Sequence, residues 1–483
     1  MFEIEWKPQK ASSIPLHLQI SHYMKKKIMN GEWTVGTKLP SQRTLANCFG
    51  VNRSTIVTAF EELAADGLIE AKVGSGTKVV NNTWSLLAST PPPDWTSYVS
   101  SGIHEPNINI IQEINKAEAD PYYIRLGTGE LSPHLLPTKK MKQILQLNTE
   151  KLSLGYEEPK GNLLLRKTVS EYLTSKEIDA SPSSILIVSG ALQALQLISV
   201  GLLKRGSVIF HETPSYLNSV HVFQSAGMNL FGIPLDHEGI EYHTISRLKR
   251  LHNGALLYTI PSFHNPTGML MSEKRRQQLL EVCKQASLPI IEDDVYGDLW
   301  FDSPPPKPLK ANDKQGNVLY IGSISKTLSP GLRIGWLVGP EPVIERLSDI
   351  KMQMDYGSSS LSQYAVAQCL KNGMYTEYLE RIRKELMYRR DVMLRLLDKY
   401  FKHIASWNIP EGGFYIWLRL QSEIHTRKLF YHALHAGILL NPGSIYDGSD
   451  QHHLRLSYSY ASIEELEKGI IMLANLCKKL RTK

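Results

Sequence analysis

Apolar positions recur at helical spacing through the first eighty residues. From Pro15 they fall at Leu16, Ile20, Tyr23, Met24 and Ile28, an i, i+3, i+4 pattern that predicts an amphipathic helix ending near Asn30-Gly31. Ser41 is a natural N-cap for a short second helix through Leu45, Ala46 and Phe49, stopped by Gly50. Asn52 caps a third, which carries Ile56, Val57, Phe60, Leu63 and Ala64 inward and closes at Asp66-Gly67. The second and third helices, joined across Phe49-Gly50-Val51-Asn52, predict a helix-turn-helix. Two short strand patterns, Leu68 to Val73 and Thr77 to Val80, flank Gly74-Ser75-Gly76 and predict a hairpin wing.

The periodicity then breaks. Thr90-Pro91-Pro92-Pro93-Asp94 favours extended polyproline geometry, so residues 82–120 are read as a semi-rigid linker, with a short helix from Ile108 to Lys116. From residue 121 strand-like runs alternate with helical ones, the pattern of an α/β domain with a mainly parallel sheet. Ile185 to Val188 leads into Ser189-Gly190 and a helix from Ala191; Ser207 to Phe210 leads towards Pro214-Ser215-Tyr216. Ala255 to Thr259 precedes Asn265-Pro266, Pro289 to Ile291 precedes Asp293-Asp294-Val295-Tyr296, and Val318 to Gly322 precedes Ser323-Ile324-Ser325-Lys326. Each polar cluster falls past the carboxyl end of a strand, where open α/β sheets bind ligands.

With 483 residues, 42% hydrophobic and 21% charged, the chain has the composition of a globular protein of two to four domains. It has no apolar run of membrane-spanning length and no signal-peptide layout, so a cytoplasmic location and no membrane partner are expected. Cys48, Cys283, Cys369 and Cys477 are scattered, without a C-x-x-C pair, and neither a disulfide nor a metal site is expected. The net charge of +7 permits nucleic-acid binding; residues 1–81 hold ten Lys/Arg against seven Asp/Glu, a balance of +3.

A lysine without a carboxylate within four positions is ordinarily a solvated surface group. Lys326 differs in its company. Arg333, after Pro330-Gly331, offers a fork for a phosphate dianion, and a neighbouring cation lowers an amine's pKa so that it can attack an aldehyde. The helix start at Ala191 and Leu192 suits the same anion. A buried Asp293 needs a cationic partner, which a pyridinium nitrogen supplies.

Two resemblances follow from these runs. Gly36-Thr37-Lys38-Leu39-Pro40-Ser41-Gln42-Arg43-Thr44-Leu45-Ala46, Gly50-Val51-Asn52-Arg53-Ser54-Thr55-Ile56 and Gly74-Ser75-Gly76-Thr77 closely resemble the winged helix-turn-helix of GntR-family bacterial transcription regulators. The resemblance implies that Arg43, Arg53, Ser54 and Thr55 contact double-stranded operator DNA and that Gly76 lets the wing approach the minor groove. The segment from Arg125 to Tyr460 resembles the fold type I aminotransferases that use pyridoxal 5'-phosphate. That likeness implies Lys326 as the Schiff-base lysine, Asp293 at the pyridine nitrogen, and Asn265 and Tyr296 at the phenolic oxygen. It also implies Tyr216 stacked on the ring, with Ser323, Arg333, Ala191 and Leu192 at the phosphate. Asp293 is preferred to Asp294 because Tyr296 then stands at the family's spacing. Tyr156 matches a tyrosine that reaches the other subunit's phosphate, which implies a homodimer, and Arg455 matches the arginine that grips a substrate carboxylate. No second substrate-recognition arginine is identifiable.

The combined layout resembles the MocR subfamily of GntR regulators. The expected protein is multidomain: a winged helix-turn-helix over 1–81, a linker over 82–120, and over 121–483 a large α/β domain of the fold type I class with a smaller α+β subdomain. Its expected function is transcription regulation by sensing a small amine or amino acid through aldimine exchange at Lys326. The alternative is an active aminotransferase with an accessory DNA-binding domain, since every catalytic residue type is present.

Overall fold

The computed structural model describes residues 4, 6–72, 76–81, 95, 108–146, 155–421 and 423–481. The chain forms two compact units, Met1–Gly102 and Ile103–Lys483. The wing tip at 73–75 and the proline-bearing stretch at 90–94 lie outside the described residues.

In the first unit three helices, α1 (Leu16–Met29), α2 (Gln42–Phe49) and α3 (Arg53–Ala65), precede an antiparallel pair, β1 (Ile69–Lys72) and β2 (Gly76–Val79). Ile20, Met24, Ile28, Leu45, Phe49, Ile56, Phe60 and Leu63 share one core with Trp33 and Val79. Ser41 Oγ accepts from the Thr44 N–H at 3.1 Å, and Gly50 ends α2 in the left-handed region. Two local expectations change. Asn52 stands at the N-cap of α3 without a side-chain capping bond, and Ala64 is exposed while Ala59 packs inward. The burial stripe at 56, 59, 60 and 63 follows the 3.6-residue period, which carries Ala64 off the face.

In the second unit a short strand β3 (Ile124–Arg125) pairs with β14 (Ile438–Leu439). The main sheet contains β4 (Ile185–Val188), β5 (Val208–Thr213), β6 (Asn229–Asp236), β7 (Gly239–Ile240), β8 (Gly254–Thr259), β9 (Ile290–Asp293), β10 (Val318–Ser323) and β11 (Gly335–Val338). Its order is β4-β11-β10-β9-β8-β5-β6-β7. The run from β10 through β6 is parallel, whereas β11 lies antiparallel to both β4 and β10. β4, β9, β10 and β11 are buried at every residue, as expected of strands covered on both faces. A second sheet of β12 (Ala405–Trp407), β13 (Tyr415–Leu420), β16 (His453–Ser457) and β15 (Asn441–Pro442) forms the smaller α+β part. Within the segment read as linker, helix Asn109–Ala117 buries Ile110, Ile111, Ile114 and Ala117 in the core of this second unit.

Candidate functional site

The loops after β4, β5, β8, β9 and β10 converge on a cavity of about 370 Å³. Parallel strands present their carboxyl ends on one edge, so residues a hundred positions apart in sequence share one wall. Lys326, Asp293, Asn265, Tyr296, Tyr216, Ser323, Arg333, Ala191, Leu192 and Arg455 all line it. Tyr156 does not; it is 85% exposed, its ring centroid 5.6 Å from that of Tyr356.

Lys326 follows the last residues of β10, and its Nζ donates to the Gly129 carbonyl at 2.7 Å. Asp293 ends β9. Its Oδ2 accepts from the Tyr258 hydroxyl at 2.7 Å, while Oδ1 is buried with no hydrogen-bond partner among the described residues. Burial pushes this carboxyl up to about 6; the Tyr258 hydroxyl, the Val295 N–H and Lys326 pull the other way, and Asp294 pushes it up. A cationic N–H donor would satisfy both the open oxygen and the charge.

Neighbouring Asp294 has another environment. It does not line the cavity and is engaged by Lys176 at 3.0 Å and the Tyr320 hydroxyl at 2.8 Å. Lys176 also pairs with Asp298 at 3.0 Å. Tyr375 joins this buried network to the lysine turn, its hydroxyl donating to Asp298 Oδ2 at 2.7 Å and accepting from the Thr327 hydroxyl at 2.9 Å. Successive residues at a strand end face opposite sides, which separates the two aspartates by role.

Arg333 adopts the left-handed region, φ 53°, after the 3₁₀ turn Pro330–Leu332, rather than continuing as strand. Its Nη2 donates to the Ser189 carbonyl at 2.8 Å, beside the start of helix Ala191–Leu202. The cap of that helix is Gly190, at φ 84°; a Cβ there would lie 2.4 Å from Arg333 Nη2. Helix N–H groups without a side-chain cap and a guanidinium at close quarters form an anion cradle. Ser323 Oγ meanwhile donates to the Ile334 carbonyl and accepts from the Ser325 N–H, each at 3.1 Å.

Arg455, on β16, is nearly buried. It donates to Asn265 Oδ1 at 2.8 Å and to the Gly127 carbonyl at 2.7 Å, and its Nε finds no acceptor among the described residues. Its guanidinium carbon lies 4.2 Å from the Tyr415 ring centroid and 4.9 Å from that of Tyr446. Burial works against the charge, yet Tyr415, Tyr446, Tyr296 and Glu118 together hold its pKa above the ordinary arginine value. Tyr296 and Tyr415 share a hydroxyl hydrogen bond of 2.9 Å. Sequence reasoning missed Tyr415, Tyr446, Gly129 and the wall of helix Asn109–Ala117. The small-residue run Gly127-Thr128-Gly129 was a usable signal for the loop; a helix inside an apparent linker offered none.

In the first unit Arg43, Arg53, Ser54 and Gly76 are exposed and Thr55 is half-buried. Arg53 donates to Gln42 Oε1 at 3.3 Å, tying the start of α3 to α2. A Cβ at Gly76, φ +86°, would stand 2.9 Å from Lys38 Cε, so glycine is required there on two counts.

A strand-end lysine, a buried aspartate with one open oxygen and an anion cradle suit pyridoxal 5'-phosphate, and together with the sheet order they define a fold type I aminotransferase-like domain. Residues 121–471 match the aminotransferase class I and II family, and residues 16–79 match the gntR family of bacterial regulatory proteins. The chain is 57% identical over 477 residues to the HTH-type transcriptional regulator YisV of Bacillus subtilis, covering 99% of each chain. It is 38% identical over 456 residues to the HTH-type transcriptional regulator NorG of Staphylococcus aureus, covering 92% of this chain and 100% of that one. Among solved structures, a multiple substrate aminotransferase from Thermococcus profundus is 28% identical with a TM-score of 0.75, over 81% of this chain and 100% of its own. Pyrococcus horikoshii kynurenine aminotransferase is 31% identical with a TM-score of 0.75, over 80% and 98%. The chain belongs to the MocR subfamily of GntR-type transcription regulators, DNA-binding proteins whose large domain is an aminotransferase-like pyridoxal phosphate domain. Among the described residues no helix is long and apolar enough to cross a membrane.

Proposed function

We propose that this regulator senses a small amine or amino acid at Lys326 and converts its binding into a change in operator affinity. The observation that carries the reading is the single cavity shared by Lys326, the open oxygen of Asp293, the Gly190–Arg333 cradle and Arg455. Pyridoxal phosphate, when bound, supplies an aldehyde carbon that condenses reversibly with primary amines. Lys326 is the amine with which an effector competes. Asp293, with its open Oδ1, would hold a proton on the ring nitrogen, Asn265 and Tyr296 would orient the phenolic oxygen, and Tyr216 would pack on the ring. Arg333, Ser323 and the backbone at Ala191 and Leu192 would hold the phosphate, and Arg455 would receive the effector's carboxylate. For regulation the effector must favour one arrangement of the two units by ~1–3 kcal/mol.

The DNA-binding domain is taken as residues 1–81, the linker as ending before helix Asn109–Ala117, and the effector domain as the remainder. Arg43, Arg53, Ser54 and Thr55 contact the operator, and Gly76 lets the wing approach. The protein acts in the cytoplasm as a homodimer, in which exposed Tyr156 reaches the other subunit's site; its position outside this cavity supports that role.

Screening primary amines and amino acids for a change in visible absorbance of the cofactor-loaded protein, then for altered operator binding, tests the reading. Lys326→Ala is expected to abolish borohydride fixation of the cofactor; fixation that persists would refute the role of Lys326. Every residue type that catalysis needs lines the same cavity, which supports a second reading, an active aminotransferase. Steady conversion of an amino acid and a 2-oxo acid, with no amine altering operator affinity, would establish that reading instead.

A further inference from the structure

The cavity wall formed by helix Asn109–Ala117 and its C-cap carries none of the residues assigned above to the cofactor. It presents Ile111, Ile114, Asn115 and Glu118. The helix is pinned by its buried isoleucines, and Arg125 donates to the Glu118 carbonyl, so the cap residue is held at the cavity edge. Glu118 Oε1 accepts from Thr128 Oγ1 at 2.9 Å. No ion pair within 4.0 Å engages this carboxylate among the described residues, although its charge acts on Arg455 and on Tyr446.

The cations facing the cavity are Lys326, Arg333 and Arg455, and the proposed function occupies all three. Among the described residues none remains for a second carboxylate on the effector. The unoccupied charge is of the opposite sign, at Glu118 and at Glu130, which also lines the cavity. A monocarboxylate amino acid docked on Arg455 therefore shares the cavity with the aliphatic Ile111 and Ile114 and with the acidic Glu118 and Glu130. An acidic side chain would face like charge, while a terminal ammonium would gain a charge-assisted hydrogen bond.

We infer that Glu118 makes this cavity select amino acids that carry a second, cationic group, the diamino carboxylic acids. The inference rests on the effector-sensing reading above. A simple diamine could reach Glu118 but leaves Arg455 without an anion, so it ranks below.

The test uses the full chain loaded with pyridoxal phosphate and titrated with L-lysine, L-norleucine and L-glutamate, following both cofactor absorbance and thermal melting. Norleucine keeps the aliphatic chain of lysine without the ammonium. Lysine is expected to bind about 10- to 100-fold more tightly than norleucine, the worth of one hydrogen bond to a charged group, and glutamate more weakly than either. In Glu118→Gln the ratio of lysine to norleucine dissociation constants is expected to fall to near unity; a ratio cancels any general effect on folding. Equal binding of lysine and norleucine by the unaltered protein would overturn the inference while leaving effector sensing intact, and so would a ratio unchanged by Glu118→Gln. If none of these ligands, nor any amine in the wider screen, changes absorbance or melting, both readings fall.

Discussion

Replacing Asp293 with asparagine should stabilise the cofactor-free protein while weakening its hold on the cofactor. The side chain is buried, with Oδ1 unpartnered among the described residues and Oδ2 bonded to Tyr258, and asparagine keeps the shape and can keep the Tyr258 bond. Burial raises the carboxyl from an ordinary 3.8 to about 6. A group raised in the folded state favours folding fully below its unfolded pKa, and that contribution is lost as pH rises through the folded value. From pH 4 to 6, therefore, ionisation of Asp293 destabilises the apoprotein progressively. At about 1.4 kcal/mol per pH unit the accumulated cost by pH 8 is about 3 kcal/mol, and near pH 5 about half of that. Glu292, pushed up to about 7 by burial, contributes with the same sign in both proteins and largely cancels. Urea unfolding of the large unit's transition, for apo wild type and Asp293→Asn at pH 8 and pH 5, measures the difference. Added pyridoxal phosphate at a hundred times its Kd should then stabilise the wild type by about 2.7 kcal/mol, and the variant by less. The reasoning fails if the apo variant is no more stable at pH 8, or if its advantage does not shrink towards pH 5.

Gly190→Ala should displace Arg333 and cost about tenfold or more in cofactor affinity, with the fold retained, since its Cβ would meet the guanidinium at 2.4 Å; equilibrium dialysis against pyridoxal phosphate checks this. Lys176→Met leaves Asp294 and Asp298 buried without their cation and should destabilise the large unit by about 3–5 kcal/mol, read as a lower urea midpoint. Arg53→Ala should weaken operator binding by roughly 1–3 kcal/mol if the side chain reads a base, or reduce the salt slope by about 1 if it meets phosphate. Unchanged affinity and slope at fixed salt would count against α3 as the recognition helix.

Much of this protein is readable from local pattern. The 3.6-residue stripe located α1, α2 and α3, and buried apolar runs located β4, β8, β9 and β10, because amphipathicity and strand burial are written residue by residue. The strand-end positions of Lys326, Asp293 and Asn265 were legible for the same reason. Local pattern says nothing, however, about which distant segments meet. Only the tertiary fold brought Arg455 between Tyr415 and Tyr446, and turned Asp293 to the cavity while committing Asp294 to Lys176. It likewise made helix Asn109–Ala117 a wall of the site, although a proline triplet upstream gives that stretch the look of a linker. Sheet order and long-range packing decide such contacts, and neither leaves a short-range periodicity in the chain. The pattern of apolar positions thus determined the elements, and the polar clusters at the strand ends the kind of chemistry; the packing of those elements determined which acidic and basic groups face one cavity.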